Sequence, residues 1–274
     1  MGEPDRLQRR VALVTGAAGG IGQAVARALA ARGARVVLTG RGRSVEAVDL
    51  GPGLAPAAVH LLDVRDAAAW DAVVSEVTRR LGGVDVLVNN AGIVDPGPLE
   101  AIPPERLVDL LHTNLLGAML GCRAVIPGMR ARGSGAIVNV ASLGGIVPMP
   151  FEAAYAASKA GMRHFSLSLG AELSGSGIRV SAVTPDSVET AQLGVELRFD
   201  EASLSFASEP LSAEAVARAV VKVLSTGAPE VLVPAGGGIA ARLAAAFPRL
   251  LLFLLPFLRR AGARRQARMR ARRS

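Results

Sequence analysis

The chain contains one tyrosine, Tyr155, and two lysines, one of which, Lys159, follows the tyrosine by four residues. On a helix, positions i and i+4 share a face, so the phenol and the ammonium can point into one pocket. A nearby cation stabilises phenolate. The spacing therefore predicts that Lys159 lowers the pKa of Tyr155 from about 10 toward the range of an acid/base catalyst. The alternative is a buried tyrosine near a surface lysine.

A glycine cluster, Gly16, Gly20 and Gly22, stands between the first apolar run and a helical stretch. Glycines at such a junction allow a tight turn and a close approach of the backbone to a pyrophosphate at the helix N-terminus. Because the chain has 31 glycines in 274 residues, the cluster alone is weak evidence. Its placement between a strand and a helix makes it an indication of dinucleotide binding.

Short apolar runs alternate with longer helical patterns. The runs predict strands at 11–15, 35–39, 58–62, 85–89, 136–140, 178–184 and 230–233. The helical patterns lie near 21–32, 67–81, 104–130, 151–173 and 212–225. Uninterrupted Val, Ile and Leu strands alternating with helices predict an α/β fold with a parallel sheet that is covered on both faces. Residues 186–211 contain no clear strand and are predicted to form a long loop or lid that includes a helical segment.

Five motifs in order over roughly residues 9–234 make the chain resemble the short-chain dehydrogenase/reductase family. They are the glycine turn, Asn89-Asn90-Ala91-Gly92, Asn114, Ser142 thirteen residues before the tyrosine, and Tyr-x-x-x-Lys. The resemblance implies a single Rossmann-type doubly wound parallel sheet of about seven strands flanked by helices. It also implies a catalytic set of Asn114, Ser142, Tyr155 and Lys159. It implies a cofactor site formed by Gly16, Gly20, Ile21, Gly22, Arg41, Asp63, Val64, Asn90, Ala91, Gly92, Tyr155, Lys159, Pro185, Val188 and Thr190, with Asp63 on the adenine.

The residue types suit transfer of a hydride between a nicotinamide and a carbonyl carbon. Tyr155 can supply the proton to the oxygen, Lys159 can hold the ribose, and Ser142 can hydrogen-bond the oxygen. By resemblance, Asn114 holds a water that links Lys159 to solvent. The alternative makes Ser142 and Asn114 ordinary polar groups of a loop and a helix. No metal site is predicted.

The end of the second predicted strand bears on the choice of cofactor. An enzyme specific for NAD usually has Asp or Glu there, whereas this chain has Gly40 followed by Arg41, with Arg43 close by. A guanidinium can bind a 2′-phosphate, so NADP(H) is favoured over NAD(H). The alternative is two exposed loop arginines. One departure from the family is Asp186, which replaces the usual glycine after Pro185 and puts the local loop geometry in question.

The net charge of +8 belongs to the C-terminus. Residues 259–274 hold eight arginines and no acid, so the other 23 basic and 23 acidic residues balance. A nucleic-acid-binding body is not supported. We divide the chain into a catalytic domain at 1–235 and an apolar, then arginine-rich tail at 236–274.

The tail offers two interpretations. Residues 243–258 are apolar but are interrupted by Pro248, Arg249 and Pro256, and the stretch is shorter than the ~20 residues of a spanning helix. Apolar residues next to clustered arginines favour contact of 243–273 with an anionic membrane surface. The alternative is an arm packed on its own domain or on a neighbouring subunit, with a disordered basic end.

A single cysteine, Cys122, excludes an intrachain disulfide, and residues 1–10 lack the apolar segment of a signal peptide. We expect a cytoplasmic protein, peripheral on the inner face of the membrane, and the resemblance implies a homo-oligomer. The favoured function is an NADP(H)-preferring oxidoreductase acting on a lipophilic alcohol or ketone. The alternatives are a reductase of polar or carrier-bound ketones and a non-catalytic NADP(H)-binding sensor or scaffold.

Overall fold

The computed structural model describes residues 7–272. Residues 1–6 of the predicted domain and 273–274 of the predicted tail lie outside the described part. Seven strands form one parallel sheet in the order β3-β2-β1-β4-β5-β6-β7. The strands are β1 (Val11–Thr15), β2 (Arg35–Gly40), β3 (Ala58–Leu61), β4 (Val86–Asn89), β5 (Gly135–Val140), β6 (Ile178–Pro185) and β7 (Glu230–Val233). The predicted fold class is confirmed, and each predicted strand ends within one residue of the observed one.

Helices cover both faces of the sheet. They are α1 (Gly20–Ala30), α2 (Ala67–Leu81), α3 (Pro104–Leu111), α4 (Gly117–Ala131), α5 (Ala153–Glu172), α6 (Ala191–Glu196), α7 (Ala213–Thr226), α8 (Ala235–Ala245) and α9 (Pro248–Ala271). The two faces of β1 show why its sequence is apolar throughout. Ala12 and Val14 pack in the core under α1 and α7, whereas Val11 and Leu13 pack in the core on the other face, under α2 and α4. A strand covered on both faces has no solvent-facing positions to alternate with apolar ones.

The predicted helix at 104–130 is one helical run with a defect inside it. The stretch His112–Leu116 forms a π-turn between α3 and α4. Such insertions are rare and often occur at functional sites. This one carries the predicted catalytic residue Asn114.

The predicted loop at 186–211 contains α6 and a 3₁₀ segment, Asp200–Phe206. Its two ends are held together by an isolated bridge between Val188 and Leu211. The loop is therefore an ordered part of the fold rather than a free lid.

The tail forms helices that pack back onto this loop. Pro248 takes the first position of α9, where proline is tolerated, and the exposed Pro256 lies inside the helix without ending it. On α9, Gln266 is buried and donates from Nε2 to the carbonyl of Phe199 at 2.8 Å. A side-chain Cβ built on Gly262 would lie 1.9 Å from the carbonyl oxygen of Ser203, so the two backbones touch. The arm packs on its own domain, as one of the two interpretations stated, and its basic end is helical up to residue 271.

Candidate active site

A cavity of about 820 Å³ opens at the carboxyl ends of the strands. Residues directly following five strands line it: Gly16 after β1, Arg41 after β2, Asn90 after β4, Ala141 after β5 and Asp186 after β6. This edge of an open parallel sheet is where such folds bind ligands.

The glycine turn occupies one end of the cavity and leaves its backbone uncovered. Gly16 has φ +61°, a left-handed conformation that favours glycine. A Cβ on Gly22 would lie 2.2 Å from the Gly16 carbonyl oxygen, and a Cβ on Gly20 would lie 2.9 Å from the Thr190 methyl group. The turn can close only with glycine at these positions, and it leads into the N-terminus of α1.

Residues after β4 brace this turn. The Thr15 hydroxyl accepts hydrogen bonds from the backbone N–H groups of Asn90 and Ala91, at 2.9 and 3.0 Å. The Asn90 side chain donates to the carbonyls of Thr15 and Gly16, at 3.0 and 3.2 Å. The Asn-Asn-Ala-Gly motif thus shapes the glycine turn, which fits a dinucleotide pyrophosphate at a helix N-terminus.

Tyr155 and Lys159 lie on the buried face of α5 and line the cavity together with Ser142. The Lys159 Nζ is 5.8 Å from the centre of the Tyr155 ring and donates to the Val140 carbonyl at 2.9 Å. Ser142 accepts a hydrogen bond from the Gly144 N–H at 3.1 Å, and its hydroxyl also hydrogen-bonds Tyr155, so it can reach an oxygen bound beside the tyrosine. The predicted pair and serine are therefore brought together at one wall.

The prediction that Lys159 lowers the Tyr155 pKa is wrong for this arrangement. Burial and then the charge of Glu196 raise the Tyr155 pKa, Glu152 adds to the rise, and a hydrogen bond involving Ser142 opposes it. Burial also lowers the pKa of Lys159, to about 8. The physical reason is that the phenol loses water and faces two carboxyl groups that the spacing of the tyrosine and lysine did not reveal.

Asn114 is fully buried in the π-turn. Its Oδ1 accepts from the Ile93 N–H at 2.8 Å, while its Nδ2 donates to the Ile93 carbonyl and to Ser158. A Cβ on Gly92 would lie 3.4 Å from Asn114 Oδ1 and 3.5 Å from Lys159 Nζ. Asn114 and Lys159 therefore flank the same bare backbone position, and the water predicted between them stays a prediction.

Four more of the predicted cofactor-site residues divide into two groups. Ile21, Arg41 and Val64 line the cavity. Asp63 is not among the lining residues, and its carboxylate is held by Arg65 at 2.6 Å. Hydrogen bonds from Arg65 lower the pKa of Asp63. A contact of Asp63 with adenine therefore stays a prediction.

The residues after β6 line the cavity near the glycine turn, and we call this part of the cavity the cofactor end. Pro185, Val188 and Thr190 all line the cavity. The departing residue Asp186 accepts hydrogen bonds from the Ser187 N–H at 2.8 Å and from the Ser208 hydroxyl at 2.6 Å. Its carboxylate thus ties the start of the 186–211 loop to the loop's far end.

The part of the cavity around the Tyr155 hydroxyl, which we call the substrate end, contains polar side chains that no sequence motif indicated. Glu152 and Glu196 are buried, at 2% and 6% exposure, and both line the cavity. Gln192 Nε2 donates to the Tyr155 hydroxyl at 3.5 Å. Glu152 precedes Tyr155 by about one helical turn, so this spacing could have indicated that the two side chains are close. Nothing in the sequence indicated Glu196 or Gln192.

One wall of this end comes from the tail. Small and apolar residues of α8 and α9 face the cavity: Gly237, Ala240, Ala241, Ala244, Leu251, Leu255 and Leu258. Residues of 143–153 and 186–211 also line the cavity. No motif in the sequence indicated the wall formed by 237–258.

The cavity can hold a nicotinamide dinucleotide, and one of its walls is apolar. The bare glycine turn can hold the pyrophosphate, Arg41 lines the cavity directly after β2, and the Lys159 Nζ lies 5.8 Å from the centre of the Tyr155 ring. Among residues 7–272, no three His, Cys, Asp or Glu side chains are grouped so as to hold a metal ion.

Comparisons with known proteins point the same way. A family model described as short chain dehydrogenase matches residues 10–199. Ketoacyl reductase HetN of Nostoc sp. is 38% identical over 232 residues, covering 83% of this chain and 79% of that protein. The 3-alpha-(or 20-beta)-hydroxysteroid dehydrogenase of Mycobacterium tuberculosis is 40% identical over 190 residues, covering 68% of this chain and 71% of that protein.

A solved structure is similar over most of its length. It is a protein of Beutenbergia cavernae provisionally designated an NAD(P)-dependent gluconate 5-dehydrogenase, with NADP bound at low occupancy. The TM-score is 0.75 at 33% identity, and the match covers 84% of this chain and 96% of that one.

Proposed function

Because the chain belongs to the short-chain dehydrogenase/reductase family, and is thus an NAD(P)-dependent oxidoreductase of alcohols and ketones, we propose that it interconverts a hydroxyl and a carbonyl on a lipophilic substrate, with Tyr155 as acid/base. One observation carries the proposal. A buried Tyr155–Lys159 pair shares its cavity with an apolar wall built by Leu251, Leu255 and Leu258.

Each residue of the catalytic set has a role that its contacts support. The nicotinamide supplies or accepts the hydride. Tyr155 transfers the proton to or from the substrate oxygen, and Ser142 donates a hydrogen bond to that oxygen. Lys159 holds the ribose, while Asn114 holds the backbone around Gly92 in place. Proton transfer by a positioned group contributes roughly 10²–10⁴ in rate.

The preference for NADP(H) is supported by the end of β2. Arg41 lines the cavity, and neither it nor Gly40 places a carboxylate beside the ribose 2′ position. A guanidinium binds phosphate through paired hydrogen bonds. The Beutenbergia cavernae relative binds NADP, which is in line with this assignment.

The test is turnover of the purified protein with NADPH and NADH against matched ketones, from steroids and alkyl ketones to sugars. We expect activity on the lipophilic compounds, and Tyr155→Phe should lower kcat by roughly 10²–10⁴ while leaving NADPH affinity unchanged. Near-normal kcat in Tyr155→Phe would refute the role of the tyrosine. Activity confined to sugars would refute the substrate class.

The alternative functions have weaker support. A reductase of carrier-bound ketones is suggested by the name of HetN, and a polar substrate by that of the Beutenbergia protein. A non-catalytic sensor would have no need of a complete Ser142, Tyr155 and Lys159 set. Binding of NADPH without turnover across the panel would favour the sensor.

The outer face of the tail supports docking on an anionic membrane surface. Seven apolar side chains of α8, α9 and their junction are each more than half exposed: Ile239, Leu243, Phe247, Leu250, Leu252, Phe253 and Phe257. At 3.6 residues per turn, Arg260, Arg264 and Arg268 continue the face of α9 that carries Phe253 and Phe257. All three arginines are exposed. Apolar and basic side chains on one face suit the acyl boundary and the headgroups of such a membrane.

No helix of residues 7–272 is both long and apolar enough to span a membrane. We therefore propose surface docking, on the cytoplasmic face. Because α9 also walls the cavity, deleting the tail would damage the active site, so point changes are the better test. Phe253→Glu with Phe257→Glu should abolish co-sedimentation with phosphatidylglycerol vesicles. Leu99→Glu, at a separate exposed apolar position, should not.

Two outcomes would reject this docking. One is vesicle binding that the double change leaves intact. The other is a dimer that sedimentation velocity detects in the wild type but not in the double variant, because a second copy of the chain would then cover the same face. A homo-oligomer formed through another surface stays a prediction from the family.

A further inference from the structure

Two carboxyl groups, those of Glu152 and Glu196, line the substrate end of the cavity without a cation beside them. Both residues are more than nine-tenths buried. The Ser205 hydroxyl donates to Glu152 Oε1 at 3.1 Å, and hydrogen bonds with Ser205 and Gln192 act on Glu196. Within residues 7–272, neither carboxyl takes part in a salt bridge.

The pair is part of a ligand cavity rather than an isolated acidic cluster. Glu152 lies one turn before Tyr155, at the N-terminal end of the same helix, and the charges of both glutamates act on the tyrosine. Gln192 links them, because it contacts both the Tyr155 hydroxyl and Glu196. A molecule that reaches Tyr155 therefore also reaches the pair.

The charged side chains around the cavity leave both glutamates without a paired cation. The described ionisable side chains that line it, besides Tyr155, are Arg41, Glu152, Lys159, Asp186 and Glu196. Arg41 lies at the cofactor end, and Lys159 donates to the Val140 carbonyl. Arg259 of α9 lies over the ring of Phe151, next in the chain to Glu152, at 4.9 Å, but pairs with neither glutamate.

Burial makes this arrangement unfavourable for the charged form. It raises the pKa of both glutamates, and the charge of Glu196 raises that of Glu152 further. A buried carboxylate becomes stable when a cation pairs with it. The carboxyl oxygens also offer more acceptor positions than Ser205 and Gln192 use.

Three leucines of α9 give the same cavity an apolar wall, in contrast to the two carboxyl groups. Leu251, Leu255 and Leu258 present only hydrocarbon to the cavity. A ligand that satisfies both walls has an apolar chain and a group that donates hydrogen bonds. A protonated amine fits the pair better than a hydroxyl, because it offers three donors and a positive charge.

We propose that Glu152 and Glu196 bind a protonated amine, and that the substrate is an amphiphilic amino alcohol or amino ketone whose hydroxyl or carbonyl faces Tyr155. This inference rests on the proposed function for the reacting group. It adds a second binding contact, which we call the second anchor, between the substrate amine and the two glutamates.

The test measures binding without turnover. Octylammonium chloride and 1-octanol are titrated by calorimetry at pH 7.5 into the NADP⁺-bound protein. The amine should bind at least ten-fold tighter than the alcohol of the same length. The Glu152→Gln/Glu196→Gln variant should reduce that ratio below about two-fold, while Glu209→Gln, a change at an exposed acid of the same loop, should keep it.

A second readout separates charge recognition from a structural role. Because the pair gives up protons when a cation binds, the heat of octylammonium binding should differ between phosphate and Tris buffers in the wild type and not in the double variant. Each single Gln variant should show an intermediate ratio, and NADPH binding should confirm that all variants are folded.

Equal affinity for amine and alcohol in the wild type, or a preference that persists in the double variant, would overturn the inference. The proposed function is tested separately, by turnover. Tyr155→Phe should lose turnover and keep the amine preference. Turnover of simple alkyl ketones without any amine preference would leave the proposed function standing and remove the second anchor.

Discussion

The two ends of the cavity are built in different ways. At the cofactor end, backbone packs against backbone. Gly16, Gly22 and Asn90 lie so close that no side chain fits between them. At the substrate end, the walls are side chains from the 186–211 loop, α5 and the tail. The first end tolerates little variation, whereas the second end depends on three segments that meet only in the folded chain.

The difference has consequences for what each end can do. A pyrophosphate is held by backbone N–H groups and a helix N-terminus, which are the same for any side-chain sequence that closes the turn. A substrate is selected by side-chain charge and apolar surface. Changes at the two ends should therefore separate cofactor affinity from substrate affinity.

The largest separation is expected at Gly22. Its Cβ in Gly22→Ala would meet the Gly16 carbonyl at 2.2 Å, so the turn must open. Overpacking costs roughly 1–3 kcal/mol, and we expect NADPH affinity to fall by about 100-fold. Fluorescence titration of NADPH measures it. Gly170→Ala is the control, because Gly170 lies outside the cavity lining and its Cβ would meet the nearest atom at 3.6 Å. Equal losses in both variants would show that tight packing in the turn does not control NADPH affinity.

A reciprocal effect is expected from Gly262. In Gly262→Ala, the Cβ would lie 1.9 Å from the Ser203 carbonyl oxygen, so α9 must move away from the 3₁₀ segment. The KM for a lipophilic ketone should rise by about ten-fold or more, with NADPH affinity unchanged. Gly236→Ala is the control, because a Cβ there meets no atom within 4 Å. A fall in NADPH affinity of the same size would mean that the two ends are not independent.

Arg41 tests the boundary of the cofactor end. Loss of a charge-assisted hydrogen bond costs roughly 1.5–3 kcal/mol, so Arg41→Ala should lower the NADPH to NADH affinity ratio by about ten-fold. Arg43→Ala serves as the comparison, since Arg43 does not line the cavity. If the ratio stayed the same in Arg41→Ala, the assignment of NADP(H) would be wrong.

The smallest effect concerns stability at the substrate end. The pKa of Glu196 is raised to about 7 and that of Glu152 to about 8. Between about pH 4.5 and 8 the folded protein thus binds more protons than the unfolded chain, and its stability falls as the pH rises. Lys159, with its pKa lowered to about 8, acts in the opposite direction only above that range.

Glu196→Gln should weaken this dependence. Urea unfolding at pH 5, 6.5 and 8 should show a free energy of unfolding that declines less in the variant, which should be more stable than the wild type at pH 8 by about 1 kcal/mol. The Glu209→Gln variant should follow the wild type. A variant that is less stable at pH 8 would indicate that the Glu196 charge has a partner in the fold.

The sequence by itself determined the sheet and the cofactor end. Apolar runs of four to eight residues mark strands buried on both faces. The motifs that follow those strands meet because the carboxyl ends of parallel strands lie on one edge. Gly16, Asn90, Ser142 and Tyr155 could be assigned to one cavity for that reason.

Only the tertiary structure decided the substrate end. Ser205 reaches Glu152 across 53 positions of the chain, and Gln266 reaches Phe199 across 67. No local pattern encodes such contacts. The Tyr155 pKa depends on them as well, because its direction follows from burial and from Glu196 rather than from the spacing to Lys159. Burial and long-range charge are properties of the packed molecule, and they determine here how the motif residues behave.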